Sequence, residues 1–251
     1  MAFGTEKTVY TGTRVDQAEF DAGLRAHMLR VYNYMVCGLL LTGILAVVVA
    51  QASVVTNDAG QIVALTSLGQ TLFGSPLKWV VMLAPLGMVF FLMARLHKMS
   101  YGAAQTTFWI YAALMGVSMA TVFMAFTGAS VARVFFITAG TFAGMSLWAY
   151  TTKKDLSGWG SFLFMGLIGI IIAMVVNIFL ESSALQFAIS VIGVLVFVGL
   201  TAYDTQAIKN EYAEHYDEET QGKLAISGAL RLYLDFINLF IMLLHLFGNR
   251  E

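Results

Sequence analysis

Residues 160–180 read GSFLFMGLIGIIIAMVVNIFL, twenty-one positions without one charged side chain. A helix rises about 1.5 Å per residue, so this stretch is long enough to cross the roughly 30 Å hydrocarbon core of a bilayer. Working outward, six more runs meet the same test: Arg30–Ala50, Leu77–His97, Thr107–Thr127, Val131–Tyr150, Ala184–Gln206 and Gly228–Gly248. The composition agrees with that map. Of 251 residues, 59% are hydrophobic and 12% charged, with a mean hydropathy of +0.77. Soluble domains carry about 25% charge, so this chain lacks the polar material to cover a water-facing surface. The expected fold is an all-α membrane protein, a seven-transmembrane helix bundle.

The longest connection runs from Gln51 to Pro76, too short for a soluble catalytic domain. Function is therefore expected inside the bundle or on its rims, with no enzyme activity and no cofactor. Cys37 is the single cysteine, which excludes an internal disulfide and a Cys-rich metal centre. A net charge of −1 speaks against a nucleic-acid partner. Residues 1–29 form a polar N-terminal arm, read as cytoplasmic, ahead of a transmembrane domain at 30–248. The arm carries Arg14, Asp16, Glu19, Asp21 and Arg25, too polar for a secretory signal. Val15, Phe20, Leu24 and Met28 are expected to lean on lipid as an interfacial helix.

Positive charge orients the spans. With the N-terminus inside, Lys7, Arg14, Arg25, Arg30, Arg95, Lys98, Lys153, Lys154, Lys209, Lys223 and Arg231 fall on the inner side. Lys78, Arg133 and Arg250 fall outside. In the fourth span, Gly140 and Gly144 form a GxxxG pattern that permits close helix packing within the bundle. Pro85 is expected to kink the second.

Ionisable residues inside spans are the informative ones, since each costs at least ~2.5 kcal/mol at mid-span unless sheltered. They are Arg95, Arg133, Asp204, Arg231, Asp235 and His245. At ~1.5 Å per residue, Arg95 and Asp204 lie about 3 Å from the inner ends of their spans, Arg231 about 5 Å and Asp235 about 10 Å. Two acids and two arginines thus share one slab. Arg231, Asp235, Asn238, Met242 and His245 recur at helical spacing on one face. Thr201, Asp204 and Thr205 share a face of the preceding span. Thr201, Asn238 and His245 are therefore candidates to line a path. If Asp204 and Asp235 meet in a low-dielectric interior, both cannot stay ionised, and the pair titrates as a unit with a shared proton. Calcium takes six to eight oxygens, whereas two aspartates offer at most four, so the pair fits a transient site better than a static cage. The same spacing also suits a structural role, each aspartate paired with an arginine.

Two stretches carry a family resemblance: TAYDTQAIK at 201–209 and ALRLYLDFINLF at 229–240. They resemble signatures of the Bax inhibitor-1 (TMBIM) family. A charged arm followed by seven spans with short connections looks like its bacterial branch, and the likeness runs from Arg25 to Phe247. The resemblance implies six helices around a central seventh, and a calcium leak channel gated by pH through a di-aspartyl unit. On that likeness Asp204 and Asp235 are the sensor pair and transient calcium ligands. Arg95 takes the position of the latch arginine, and Arg231 precedes the second aspartate. Calcium is the permeant ion, protons and the lipid bilayer the other partners, and a bacterial inner membrane the location. The second span has no carboxylate between Trp79 and Arg95, so a further acid on the path would be Glu181. Two alternatives stand beside this. One is a non-transporting regulator that binds a membrane protease or respiratory complex, with the acidic run Glu211 to Glu219 as its docking surface. The other is an intramembrane aspartyl protease, in which one acid activates water and the other protonates the leaving group. Tyr203-Asp204 suits that chemistry, but Asp235 lacks the preceding Gly-x-Gly.

Overall fold

The computed structural model describes residues 12–57 and 62–249, with side chains from residue 19 onward. Seven long helices fill it: α1 (Gly12–Ser53), α2 (Leu77–Arg95), α3 (Tyr101–Ala125), α4 (Gly128–Thr151), α5 (Trp159–Leu180), α6 (Ser183–Glu211) and α7 (Glu218–Phe247). Each is long and apolar enough to cross a membrane. The protein is an all-α membrane bundle with seven spans among the described residues. Between α1 and α2, β1 (Val54–Thr56) pairs antiparallel with β2 (Ile62–Leu65) in a small hairpin.

The helix starts follow from local chemistry. The first amides of a helix lack partners within it, and short polar side chains supply them. Ser100, Thr127, Ser182 and Asp217 do so for α3, α4, α6 and α7. Connections are pinned in the same manner. Gln206 on α6 accepts from Leu156 N at 2.7 Å and donates to Lys154 O at 2.8 Å, tying the α4–α5 connection to α6. At the other end, Thr127 N donates to Asn249 O at 3.0 Å and Asn249 N to Ser130 Oγ at 3.1 Å, which fastens the end of α7 to the start of α4.

Helix α7 is the most enclosed of the seven. It packs against α1, α3, α4 and α6, whereas α2 rests on α3 and α5 on α6. Tyr233 of α7 is fully buried; its hydroxyl lies 2.6 Å from Thr42 Oγ1, and Thr42 in turn donates to Ala112 O at 2.8 Å. This joins α1, α3 and α7. Gly116 lets α3 approach α1 closely, since a Cβ there would stand 2.8 Å from Thr42 O.

Two expectations change. The arm does not lie on lipid as a separate interfacial helix: α1 runs unbroken from Gly12, Leu24 and Met28 are buried, and the Phe20 ring packs 5.4 Å from that of Tyr212. The bundle itself offers these side chains an apolar surface. Gly140 and Gly144 meet nothing within 4 Å of a built Cβ, so no helix among the described residues packs on the GxxxG face. Pro85 sits buried inside α2, which continues through it to Arg95. Lys7, Arg250 and the side chains of Arg14, Val15 and Asp16 lie outside the described residues.

Candidate functional site

Asp204 lies seven residues before the end of α6, and Asp235 is in the middle of α7. Because α6 and α7 pack along their length, the carboxyl groups face one another within hydrogen-bonding reach. Asp235 is only 5% exposed, and its Oδ2 is buried without a hydrogen-bond donor. A carboxylate has no donor to offer another, so a hydrogen bond between the two requires a proton on one of them.

Arg231 is the cation at this pair. One turn before Asp235 on α7, its Nη1 stands 3.8 Å from Asp204 Oδ1 and its Nη2 pairs with Glu211 Oε2. Its Nε is buried and unpartnered. Glu211 therefore belongs to the site, although its position at the head of an acidic run reads as solvated loop. The usable signal was spacing: Glu211 is seven residues, two helical turns, beyond Asp204 and lies on the same face. A cavity of about 340 Å³ opens beside the ion pair, lined by Glu211, Arg231, Ser227 and His97 among others.

The other expected site residues separate. Arg95 is exposed at the end of α2, and its guanidinium makes no ion pair among the described residues. It packs with α2 on α3, while its neighbours Met93, Leu96 and His97 line the cavity beside Arg231. Thr201 is fully buried, donating to Phe197 O at 2.8 Å, and Asn238 donates to Leu234 O at 2.8 Å. Thr201 thus spends its donor, and Asn238 one of its two, on its own helix. His245 lies ten residues beyond Asp235, about 15 Å along α7, where Gln186 Nε2 approaches its Nδ1 at 3.2 Å. Between these ends the seam is filled. Met242 packs on Gly193, where a Cβ would come within 2.7 Å of its sulfur. Glu181 is exposed beyond α5 with φ 46°. Among the described residues, no group of three or more His, Cys, Asp or Glu is arranged to hold a metal.

Thr205, next to Asp204 in sequence, starts a chain of hydroxyls: its Oγ1 is 2.9 Å from Ser146 Oγ, and Ser146 Oγ is 2.6 Å from Tyr32 OH, which links α6, α4 and α1.

Fold and site together define the class: a seven-span helical membrane protein with an enclosed acidic pair on its last two helices. The chain belongs to the Bax inhibitor family, since the family model described as Inhibitor of apoptosis-promoting Bax1 matches residues 24–251. Among similar proteins, the Escherichia coli (strain K12) inner membrane protein YbhL is 47% identical over 232 residues, covering 92% of this chain and 94% of YbhL. The Rickettsia prowazekii protein RP147 is 46% identical, covering 92% and 93%. A Caulobacter vibrioides protein is 45% identical, covering 92% of each.

Proposed function

We propose that this protein is a pH-responsive cation leak channel that passes calcium, with Asp204 and Asp235 as its proton sensor and gate. The observation that carries this reading is the pair itself: two facing carboxyl groups on adjacent helices, one buried with an oxygen that no donor satisfies.

A proton shared by the two acids lets α6 and α7 close on each other. When that proton leaves, two carboxylates at short range repel in a low dielectric. The repulsion has to be relieved, by Arg231 moving from Glu211 toward the pair, by a cation, or by separation of the helices. Calcium supplies the cation and enters as cargo. Met242 on Gly193 is the obstruction that a separating α6–α7 seam would clear. The energies are small: one pKa unit is worth about 1.4 kcal/mol, a tenfold change in the balance of two states. On this reading the protein sits in a bacterial inner membrane with its N-terminus on the cytoplasmic side.

The test is calcium entry into liposomes that carry the full chain and a trapped calcium dye. Wild-type flux should change with pH, and Asp204→Asn and Asp235→Asn should each flatten that dependence. Wild-type pH profiles from both variants would overturn the gate assignment.

A further inference from the structure

The wall around α7 has a gap. α1 and α4 meet at Tyr32 and Ser146, and between them lies a groove of about 1120 Å³. Val36 and Leu40 of α1 form one side, Ala143 and Leu147 of α4 the other, and Phe236 and Phe240 of α7 the floor. Through this opening the otherwise enclosed last helix, one residue from Asp235, faces outward. One end is polar and carries Arg25, Tyr32, Ser146 and Tyr150.

The volume exceeds the roughly 300–1,000 Å³ typical of sites for drug-sized ligands, and apart from Thr42 the lining beyond the polar end is apolar. The medium that meets such a surface at membrane depth is acyl chain. The polar end says which lipid. Arg25 is exposed and makes no ion pair among the described residues. Lys209 Nζ is held close by, 2.9 Å from Tyr150 O and 5.2 Å from the Tyr150 ring centroid. One cation, Arg25, and the tyrosines at this mouth complement a phosphate headgroup, and amphipathic tyrosines favour that depth.

We propose that the groove between α1 and α4 binds an anionic phospholipid, its phosphate against Arg25 and its tails on Phe236 and Phe240. The tails complete the wall that the protein leaves open along α7. This site is independent of the channel reading, and its test reads lipid rather than flux. The full chain in mild detergent is exchanged with equal amounts of dioleoyl phosphatidylglycerol and dioleoyl phosphatidylcholine, and retained lipid is counted by native mass spectrometry. Phosphatidylglycerol should be retained about five-fold over phosphatidylcholine, the worth of one arginine near an anionic surface. Arg25→Gln should abolish that preference with the melting temperature unchanged. Ala143→Trp, which fills the groove away from Arg25, should lower retention of both lipids. Equal retention of the two lipids by the wild type, a preference surviving Arg25→Gln, or unchanged retention by Ala143→Trp would each overturn the proposal and leave only the ordinary lipid annulus.

Discussion

At the scale of single residues, the site is a contest for one guanidinium. Arg231 reaches Asp204 and Glu211 together, so the state of the acid pair depends on a third carboxylate outside it. Glu211→Gln should shift the pH midpoint of calcium flux, because Arg231 then answers to Asp204 alone. Glu214→Gln, at an exposed neighbour in the same run, should leave the midpoint in place; equal profiles for the two variants would remove Glu211 from the site. A second residue gives a pH effect outside the spans. Asp217 accepts from Thr220 N at 3.4 Å as the cap of α7, and the Thr220 hydrogen bond holds its carboxyl below the usual range. A depressed folded value means that the cap's contribution is present at neutral pH, above the unfolded value near ~4, and is lost as pH falls through the folded value. The protection of the Thr220 amide, its exchange relative to the unstructured rate at the same pH, should fall under acid in the wild type. In Asp217→Ala that protection should already be low at neutral pH, with little further loss in acid.

At the scale of elements, two contacts show how helices are held. Gln206 satisfies Leu156 N and Lys154 O across the α4–α5 connection. Gln206→Ala strands a buried amide, which costs about 1–3 kcal/mol, and trypsin should cut at Lys153 and Lys154 faster than in the wild type. Gly116→Ala pushes a methyl group to 2.8 Å from Thr42 O, and backbone cannot yield as a flexible side chain does. Overpacking of this kind costs about 1–3 kcal/mol, so the melting temperature should drop, whereas Gly43→Ala, with open space around it, should leave it unchanged. Helix ends also show what hydropathy reads. The span expected at Thr107–Thr127 is the helix Tyr101–Ala125, and that expected at Gly228–Gly248 begins at Glu218. An apolar run marks the hydrocarbon, whereas a helix continues until a cap such as Ser100 or Asp217 satisfies its first amides.

At the scale of the whole molecule, the seven spans were legible because each long apolar run has to meet either lipid or another helix. The acid pair was legible too, since Asp204 and Asp235 are costly in a membrane and therefore prominent. What helical spacing could not supply was the tertiary partner. Arg95 and Arg231 share a slab by depth, yet α2 rests on α3 while α7 packs against α6, so only Arg231 reaches the acids. The groove was hidden for a related reason. Val36, Ala143 and Phe236 look like ordinary lipid-facing or core positions, and only the divergence of α1 from α4 turns them into one surface. The central claim is that Asp204 and Asp235 hold one proton between them and that its loss governs calcium passage. Infrared difference spectroscopy of the protein in lipid, with pH stepped and calcium flux followed on the same sample, tests it most directly. The account predicts a single titrating protonated-carboxyl band that tracks flux, titrates at a different pH in each of Asp204→Asn and Asp235→Asn, and disappears when both are replaced together. A band that persists in the double variant, or that titrates while flux stays constant, would contradict it.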